Sequence, residues 1–197
     1  MRYIWNYGKK SHRTALASMV QTTGSLSVIC PYIRTQQIED LLARRELESL
    51  RVITLWDIHS FLVGASEPGA LRRVLQLGGE VRAMKSGLHA KVYIADGAAM
   101  VTSANLTAGG LTNNLGYGVL LRNPKAVSRL ADRFDREWRR AAPVKEEDII
   151  ALSAELEKKG TRTTSSAQEP ARIGTEVLSS GACCTDNLDA AGGRVAS

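Results

Sequence analysis

The chain has 197 residues, enough for one domain with a substantial core and too few for two ordinary domains. Hydrophobic residues make up 44% and charged residues 23%, which excludes disorder along the whole chain. The 26 lysines and arginines exceed the 20 acidic residues, and the net charge of +6 favours a polyanionic partner. With no apolar run of membrane-spanning length, no secretory leader and no disulfide or zinc pattern among three cysteines, we expect a cytoplasmic protein.

The composition changes near Gly160. Residues 160–197 are rich in Gly, Ser, Thr and Ala and contain no aromatic residue, which predicts a disordered tail. Three arginines and four carboxylates lie in this tail, so residues 1–159 carry a net charge of +7. The predicted domain therefore spans 1–159, with a core over about 1–141 and a C-terminal helix over about 145–159.

Strand and helix patterns alternate along this domain. Apolar runs predict strands at 26–30, 50–56, 80–83, 88–95, 98–103 and 115–121. Apolar residues at helical spacing predict helices from Thr35 to about residue 47, from Pro68 to just before Gly78, and over about 124–141 and 145–159. The alternation predicts an α/β fold, in which a tight turn at Asp96-Gly97 breaks the strict parallel order.

The most informative stretch runs from His89 to Asn105. In the strand predicted over 88–95, His89 and Lys91 lie two residues apart and share one face. Ser103 and Asn105, again two apart, follow the next strand, which the tight turn joins to the first. The result is an imidazole, a cation, a hydroxyl and an amide at one rim of the sheet, a set suited to attack on a bound phosphate ester. No carboxylate cluster accompanies them, which predicts chemistry without a metal or other cofactor.

The order His89-x-Lys91, four residues, Asp96, and then Ser103-x-Asn105 resembles the HKD motif of the phospholipase D superfamily. Glycine pairs at 78–79 and 109–110 extend the resemblance, which spans about residues 1–140. The resemblance implies a mixed β-sheet flanked by helices. It also implies that His89 attacks phosphorus to give a phosphohistidine and that Lys91 and Asn105 bind the phosphate. Ser103 would assist them, and Asp96 would fix the turn.

The resemblance implies two HKD motifs per active site, whereas this chain has one. We therefore expect a two-fold homodimer in which the second chain's equivalent histidine protonates the leaving oxygen. Relatives often carry a glutamate about ten residues after the asparagine, where it orients the histidine. Gly116 stands at that position in this sequence, and Asp57 or Glu80 is a candidate substitute for the missing acid.

The resemblance implies a phosphodiesterase, and the missing carboxylate cluster predicts that it works without a metal. The +7 charge of residues 1–159 favours a nuclease acting on DNA, because a nucleic-acid backbone is a polyanion. Arg82, Lys85 and Arg122 are candidate nucleic-acid-binding residues near the predicted rim. Two alternatives stay open: a phospholipase D or phosphatidyltransferase acting on lipid, and a nucleic-acid-binding module that has lost catalysis, which the missing glutamate favours. His12 and His59 have no comparable neighbours in the sequence, which predicts no catalytic role for either.

Overall fold

A computed structural model describes residues 1–6, 11–42 and 45–165 of the chain. An eight-stranded mixed β-sheet forms the centre of this part. In chain order the strands are β1 (Arg2–Trp5), β2 (Ser25–Ile29), β3 (Ser49–Leu55), β4 (Glu80–Met84), β5 (Val92–Ala95), β6 (Ala98–Thr102), β7 (Tyr117–Leu121) and β8 (Ala142–Val144). The helices are α1 (His12–Val20), α2 (Thr35–Leu42), α3 (Ile58–Leu62), α4 (Pro68–Gln76), α5 (Pro124–Arg140) and α6 (Glu146–Ser165), with a π-helical turn at Gly109–Asn113. Across the sheet the strand order is β1-β7-β6-β5-β2-β3-β4-β8.

The centre of the sheet is parallel because helices connect its strands. β2 pairs with β3, and β3 with β4, in parallel register, and α2, α3 and α4 lie in the connections. β5 and β6 instead form an antiparallel hairpin through the turn at Asp96-Gly97, where Gly97 has a φ of +71°, a region that favours glycine. The predicted α/β fold with a mixed sheet and flanking helices is confirmed.

Helices pack on both faces of the sheet. On one face, called the α1 face, buried residues of α1, α2, α4 and α6 join the larger core; examples are Leu16, Ile38, Leu71 and Ile149. On the other, called the α5 face, Phe134 and Trp138 of α5 pack against Ile53 and Ile94. Because side chains alternate along a strand, neighbouring residues such as Val52 and Ile53 are buried in different cores.

Three predicted boundaries differ from the structure by more than two residues. β5 begins at Val92 rather than at residue 88, because Ile29–Val92 is the last pair between β2 and β5 and Pro31 cannot continue the ladder. α2 ends at Leu42, and residues 45–47 are not helical. α6 continues to Ser165, past the predicted end at 159. The remainder of the predicted tail, 166–197, lies outside the described residues, so its disorder stays a prediction.

One edge of the sheet collects the C-terminal ends of β2, β3 and β4. The register of the neighbouring strands brings the start of β5, the end of β6 and the start of β7 to the same edge, through the pairs Ile29–Val92 and Thr102–Gly118. We call it the site edge, because ligands of open α/β sheets bind outside the carboxyl ends of the parallel strands. The turn at Asp96-Gly97 lies at the opposite edge.

Among the described helices, none combines the length and the apolar character that crossing a membrane requires.

Candidate active site

His89 and Lys91 lie in the connection that enters β5 at the site edge. The Lys91 side chain is 6% exposed, and its Nζ donates a hydrogen bond to the His89 carbonyl at 2.6 Å. The Lys91 carbonyl accepts from Thr102 N at 3.0 Å, so the β5–β6 pairing continues one residue beyond β5. Burial lowers the pKa of Lys91 below its usual range. An ammonium has three N–H donors, so Lys91 Nζ keeps further donors for an anion beside its bond to the His89 carbonyl.

Asn105 lies beside a buried thiol. Cys30, which follows β2, is fully buried; its Sγ lies 3.7 Å from Asn105 Oδ1 and accepts from Leu106 N at 3.2 Å. Burial raises the pKa of the Cys30 thiol, and the charge of Lys91 opposes that rise. The neutral Cys30 thiol is therefore a close neighbour of Asn105 at the site edge.

Ser103 lies between β6 and β7 at the same edge. Its backbone N donates to the Tyr117 carbonyl at 2.9 Å, and its Oγ accepts from Tyr117 N at 3.0 Å. The exposed Ser103 side chain is thus held by the first residue of β7. This places a hydroxyl between the end of the hairpin and the 105–107 segment that carries Asn105.

His89 and Asn105 open onto different cavities. His89 is exposed and borders a cavity of about 300 Å³ on the α5 face, together with Arg133, Glu137 and Arg140 of α5. The Glu137 carboxylate lies 2.5 Å from the Arg133 guanidinium and 3.5 Å from that of Arg140. Since the carboxylate is outnumbered by these two cations, the wall facing His89 is suited to an anionic ligand.

Asn105 borders a groove of about 480 Å³ on the other side of the site edge, whose walls include Tyr32, Gln36, Gln37 and Thr107. Arg34, which also lines it, is paired with Glu67 at 2.9 Å. The groove therefore offers neutral hydrogen-bond donors and acceptors, and the charge of its arginine is balanced by Glu67. The cavity beside His89 differs, because two arginines there share one carboxylate.

The candidate nucleic-acid-binding residues do not share one surface. Lys85 is exposed at the site edge, directly after β4. Arg82 is engaged inside the fold: its Nη1 donates to the Trp138 carbonyl at 2.9 Å, and its guanidinium lies 4.9 Å from the Trp138 ring centre. Arg122 is exposed but follows β7 at the opposite edge.

In the part of the chain that the structure describes, neither Asp57 nor Glu80, the two candidate substitutes for the missing glutamate, makes a hydrogen bond with His89. Asp57 caps α3 by accepting from Ser60 N at 3.0 Å and from Ser60 Oγ at 2.6 Å. These bonds hold the pKa of Asp57 below its usual value. Glu80 begins β4 opposite Arg51, at the edge remote from His89. Within the described ranges, no three side chains of the types His, Cys, Asp and Glu come together as potential metal ligands.

Asp96 lies at the opposite edge, where it fastens the hairpin to the start of β2. Its carboxylate accepts from Ser25 Oγ at 2.6 Å, Thr23 Oγ1 at 2.9 Å and Gly24 N at 2.8 Å. The hydrogen bond from Ser25, followed by that from Gly24, lowers the pKa of Asp96 below its ordinary 3.8. These contacts suit the turn-fixing role that the resemblance implies.

Replacing Asp96 with alanine is expected to lower the free energy of unfolding at pH 7 by on the order of 1–2 kcal/mol, because several hydrogen bonds to a largely exposed charge are lost. The native pKa lies below the unfolded one, so this stabilisation is present above about pH 4 and disappears as the pH falls through the native value. Urea unfolding of both proteins at several pH values measures it. The exposed Asp132 provides an Asp132→Ala control. A deficit that stays the same from pH 7 to pH 3 contradicts the assignment.

His12 also lies at the site edge, although its sequence neighbourhood predicts no role. It begins α1, is fully buried, and its ring lies beside Gly116 and Gly118 at the start of β7. The sequence does not indicate this contact, because it joins residues about one hundred positions apart. Arg133 and Arg140 were not among the predicted site residues, because arginines on a predicted helix more often form a solvated face. Their spacing of seven, with Glu137 between them, does place them on one helix face.

Comparison with known proteins identifies the fold family. The model of the family described as "Cardiolipin synthase, PLD-like domain" matches residues 16–138, more than half of the chain. The chain belongs to this PLD-like family. The matched range contains the whole HKD set from His89 to Asn105 and ends within α5. No curated protein sequence matches the chain.

Several solved structures are similar in fold to this chain at low sequence identity. Nuc from Salmonella typhimurium, a phospholipase D family member, superposes with a TM-score of 0.61 at 17% identity, over 74% of this chain and 97% of Nuc. NucT from Helicobacter pylori gives 0.57 at 14% identity, over 73% and 99%. TrmBL2, an archaeal chromatin protein described as binding DNA, gives 0.51 at 13% identity, over 73% of this chain and 55% of TrmBL2. These similarities establish the fold.

Proposed function

We propose that this PLD-like domain is a phosphodiesterase that cleaves nucleic acid, DNA foremost, without a metal and through a covalent intermediate on His89. The observation that carries the proposal is the HKD set itself. His89, Lys91 and Asn105 stand at the spacing of the motif, the first two just before β5 and the third just after β6. A nucleophile, a buried cation and an amide at the site edge are the groups that transfer of a phosphoryl group uses.

The reaction proceeds in two steps, formation of a phosphohistidine and its hydrolysis. A ring nitrogen of His89 attacks phosphorus, the bond from phosphorus to the leaving oxygen breaks, and that oxygen takes a proton from the equivalent histidine of a second chain. Water then attacks the phosphohistidine. Its proton goes to that second histidine, the phosphorus–nitrogen bond breaks, and His89 returns to its neutral form. Lys91 and Asn105 bind the phosphoryl oxygens throughout, with Ser103 as a further donor.

The choice of nucleic acid rests on charge near His89. Arg133 and Arg140 flank the cavity that His89 borders, and Lys85 is exposed at the same edge. Together with the +7 of residues 1–159, these cations suit several successive phosphates. Arg82 and Arg122 are not included in this surface, because the first is engaged with Trp138 and the second lies at the opposite edge.

A lipid substrate is the second candidate, favoured by the family description, which names cardiolipin synthase. The same set of residues would then transfer a phosphatidyl group, with an alcohol in place of water. A binding module without catalysis is the third, and the absence of an acid at Gly116 is what favours it.

A homodimer is part of the proposal because one chain supplies one HKD histidine. Exposed aromatic side chains lie next to the site on β1 and β7: Tyr3 is 62% exposed and Tyr117 is 67% exposed. Tyr3 pairs with Val119, and the Tyr117 backbone holds Ser103. Exposed aromatic side chains beside the site suit an isologous contact that brings two copies of His89 together.

The test is cleavage of a labelled DNA oligonucleotide in excess EDTA. We expect turnover under these conditions, with a rate that does not rise when magnesium replaces EDTA. Vesicles containing phosphatidylglycerol, assayed in parallel for cardiolipin formation, separate the two enzymatic candidates. Cleavage that requires magnesium contradicts the metal-free mechanism, lipid turnover alone contradicts the substrate, and binding of the oligonucleotide without any turnover supports the inactive module.

A further inference from the structure

The cavity beside His89 has an apolar wall that the transfer of a phosphoryl group does not use. Its volume is about 300 Å³, and the four neighbouring strands β2 to β5 each contribute one apolar side chain to its lining: Ile29, Ile53, Met84 and Val92. Leu88 adds a fifth from the connection before β5. Met84, Leu88 and Val92 are only half-buried, so a ligand in the cavity would remove more of their apolar surface from water. The cavity therefore suits a ligand with an apolar body.

Helix α5 supplies the charged part of the same lining. Arg133, Glu137 and Arg140 lie on one face of the helix, at spacings of four and three residues. The side chains of Arg133 and Arg140 are 61% and 73% exposed, whereas that of Glu137 is 14% exposed. A guanidinium has five N–H donors, so each arginine keeps donors for an anion beside its contact with Glu137. The cavity thus combines apolar side chains with exposed cationic groups.

A nucleotide has both of the properties that this lining suits. Its base is a flat ring with apolar faces and with hydrogen-bond donors and acceptors along its edge, and one sugar joins the base to the phosphate. Enzymes that take a base out of a stack hold it between apolar side chains, with polar groups at the ring edge. The volume of about 300 Å³ lies at the lower end of the range of small-molecule sites, which suits one base rather than several.

Other ligands would use only part of the lining. An acyl chain would cover the apolar side chains, but it would remove water from Arg133, Glu137 and Arg140 without replacing the lost hydrogen bonds. A free phosphate would bind the arginines and leave the apolar wall exposed to water. A base with its attached phosphate uses both parts.

We propose that this cavity is a binding subsite for one unpaired nucleobase, which belongs to a nucleotide next to the phosphate that His89 attacks, and that Arg133 and Arg140 bind the neighbouring phosphate. The inference rests on the proposed function and narrows its substrate to single-stranded nucleic acid or to unpaired ends. A base within a duplex is paired along its edge and stacked on both faces, so it enters a cavity only after it has been unpaired.

Binding of single-stranded DNA tests the subsite without depending on turnover. The His89→Ala chain is titrated with a single-stranded oligonucleotide and with an abasic analogue of the same length and charge. We expect the oligonucleotide with bases to bind at least about tenfold more tightly, because stacking one base on a protein contributes on the order of that factor. Equal binding of the two oligonucleotides overturns the proposal.

Adding Ala90→Leu to this chain should reduce the preference for bases to less than about threefold, with the affinity for the abasic analogue unchanged. Ala90 is exposed and lines the cavity, so a leucine there takes up part of the space for the base. The matched control is Ser86→Leu, because Ser86 is exposed in the same connection and is not part of the lining. Arg140→Ala should weaken both oligonucleotides by a similar factor, since it removes a phosphate contact. A preference for bases that survives Ala90→Leu overturns the proposal.

A measurement on the chain without Ala90→Leu covers the case in which that variant does not fold, which thermal unfolding reveals. The fluorescent base 2-aminopurine is placed at each position of the oligonucleotide in turn, and at one position it should be shielded from quenching by acrylamide. A base that stays accessible at every position overturns the proposal. Binding to phosphatidylglycerol vesicles that is lost in Ala90→Leu, while the preference for bases remains, assigns the cavity to an acyl chain and also overturns it.

Cleavage separates this inference from the proposed function. A wild-type chain that does not cleave in EDTA contradicts the proposed function alone, because the subsite is measured by binding. Where cleavage occurs, a single strand should be cut at least about tenfold faster than a duplex of the same sequence. A duplex that is cut as fast as the single strand contradicts the subsite and leaves the proposed function in place.

Discussion

Replacing His89 with alanine is expected to lower EDTA-resistant cleavage by at least about 10³-fold, because the phosphohistidine can no longer form. Binding of the oligonucleotide should change less than about threefold, since Arg133, Arg140 and Lys85 remain on the surface beside the site. Cleavage rates and fluorescence anisotropy measure the two quantities. His59→Ala serves as the control for removing an imidazole from the chain. A His89→Ala protein that keeps its rate refutes the nucleophile assignment.

The same variant tests whether two chains share a site. Wild-type chain mixed with an excess of His89→Ala chain, after time for exchange, should lose most of its activity, because each mixed dimer lacks one of the two histidines. Inhibition should follow the fraction of mixed dimers calculated from the mixing ratio. An excess of His59→Ala chain should give no inhibition. Wild-type activity that is insensitive to the His89→Ala chain contradicts the shared site.

Lys91→Met is expected to lower kcat/KM by about 10²-fold while leaving the melting temperature equal or higher. The loss follows from removing a charged donor to the phosphate, worth on the order of 2–3 kcal/mol. The gain in stability follows from the 6% exposure of Lys91, because methionine fills a similar volume without the cost of a buried charge. The depressed pKa of this ammonium has the same origin.

Oligonucleotide cleavage and differential scanning calorimetry measure the two effects of Lys91→Met. The matched control is Lys125→Met, an exposed lysine near the start of α5 and remote from the site edge. A Lys91→Met protein that loses activity and stability together indicates that the lysine supports the fold. One that loses neither excludes it from phosphate binding.

Local sequence signals predicted the β5–β6 hairpin, which the structure confirms. The apolar run before Asp96-Gly97 and the run after it are each short-range patterns, and a two-residue turn determines how they pair. The family resemblance followed from the same stretch. The segment before the hairpin was predicted less well. A strand over 88–91 would need β2 to continue as its partner, but Pro31 ends the hydrogen-bonding ladder of β2. The residue pattern of 88–91 alone does not show that this partner is missing.

The surroundings of the motif depend on contacts between distant residues. His12 reaches Gly116 and Gly118 through the packing of α1 on the sheet, and the Asn6 side chain that orients it bridges to Gly110 and Asn114. Neither contact produces a recognisable pattern in the sequence, because the residues that it joins are about one hundred positions apart. Arg82 was predicted to face the rim, but its guanidinium stacks on Trp138, which an alternating strand pattern cannot distinguish from exposure.

The four residues between Lys91 and Asp96 are also the full length of β5. At about 3.3 Å per residue, this strand sets the distance between the edge where phosphate is expected and the edge where Asp96 ties down β2. An added residue within it would turn the Lys91 side chain from the α1 face to the α5 face, because successive side chains alternate. The spacing between lysine and aspartate in the motif therefore equals the length of strand β5. Asp96 anchors one end of this strand, and the strand length determines where Lys91 lies at the other end.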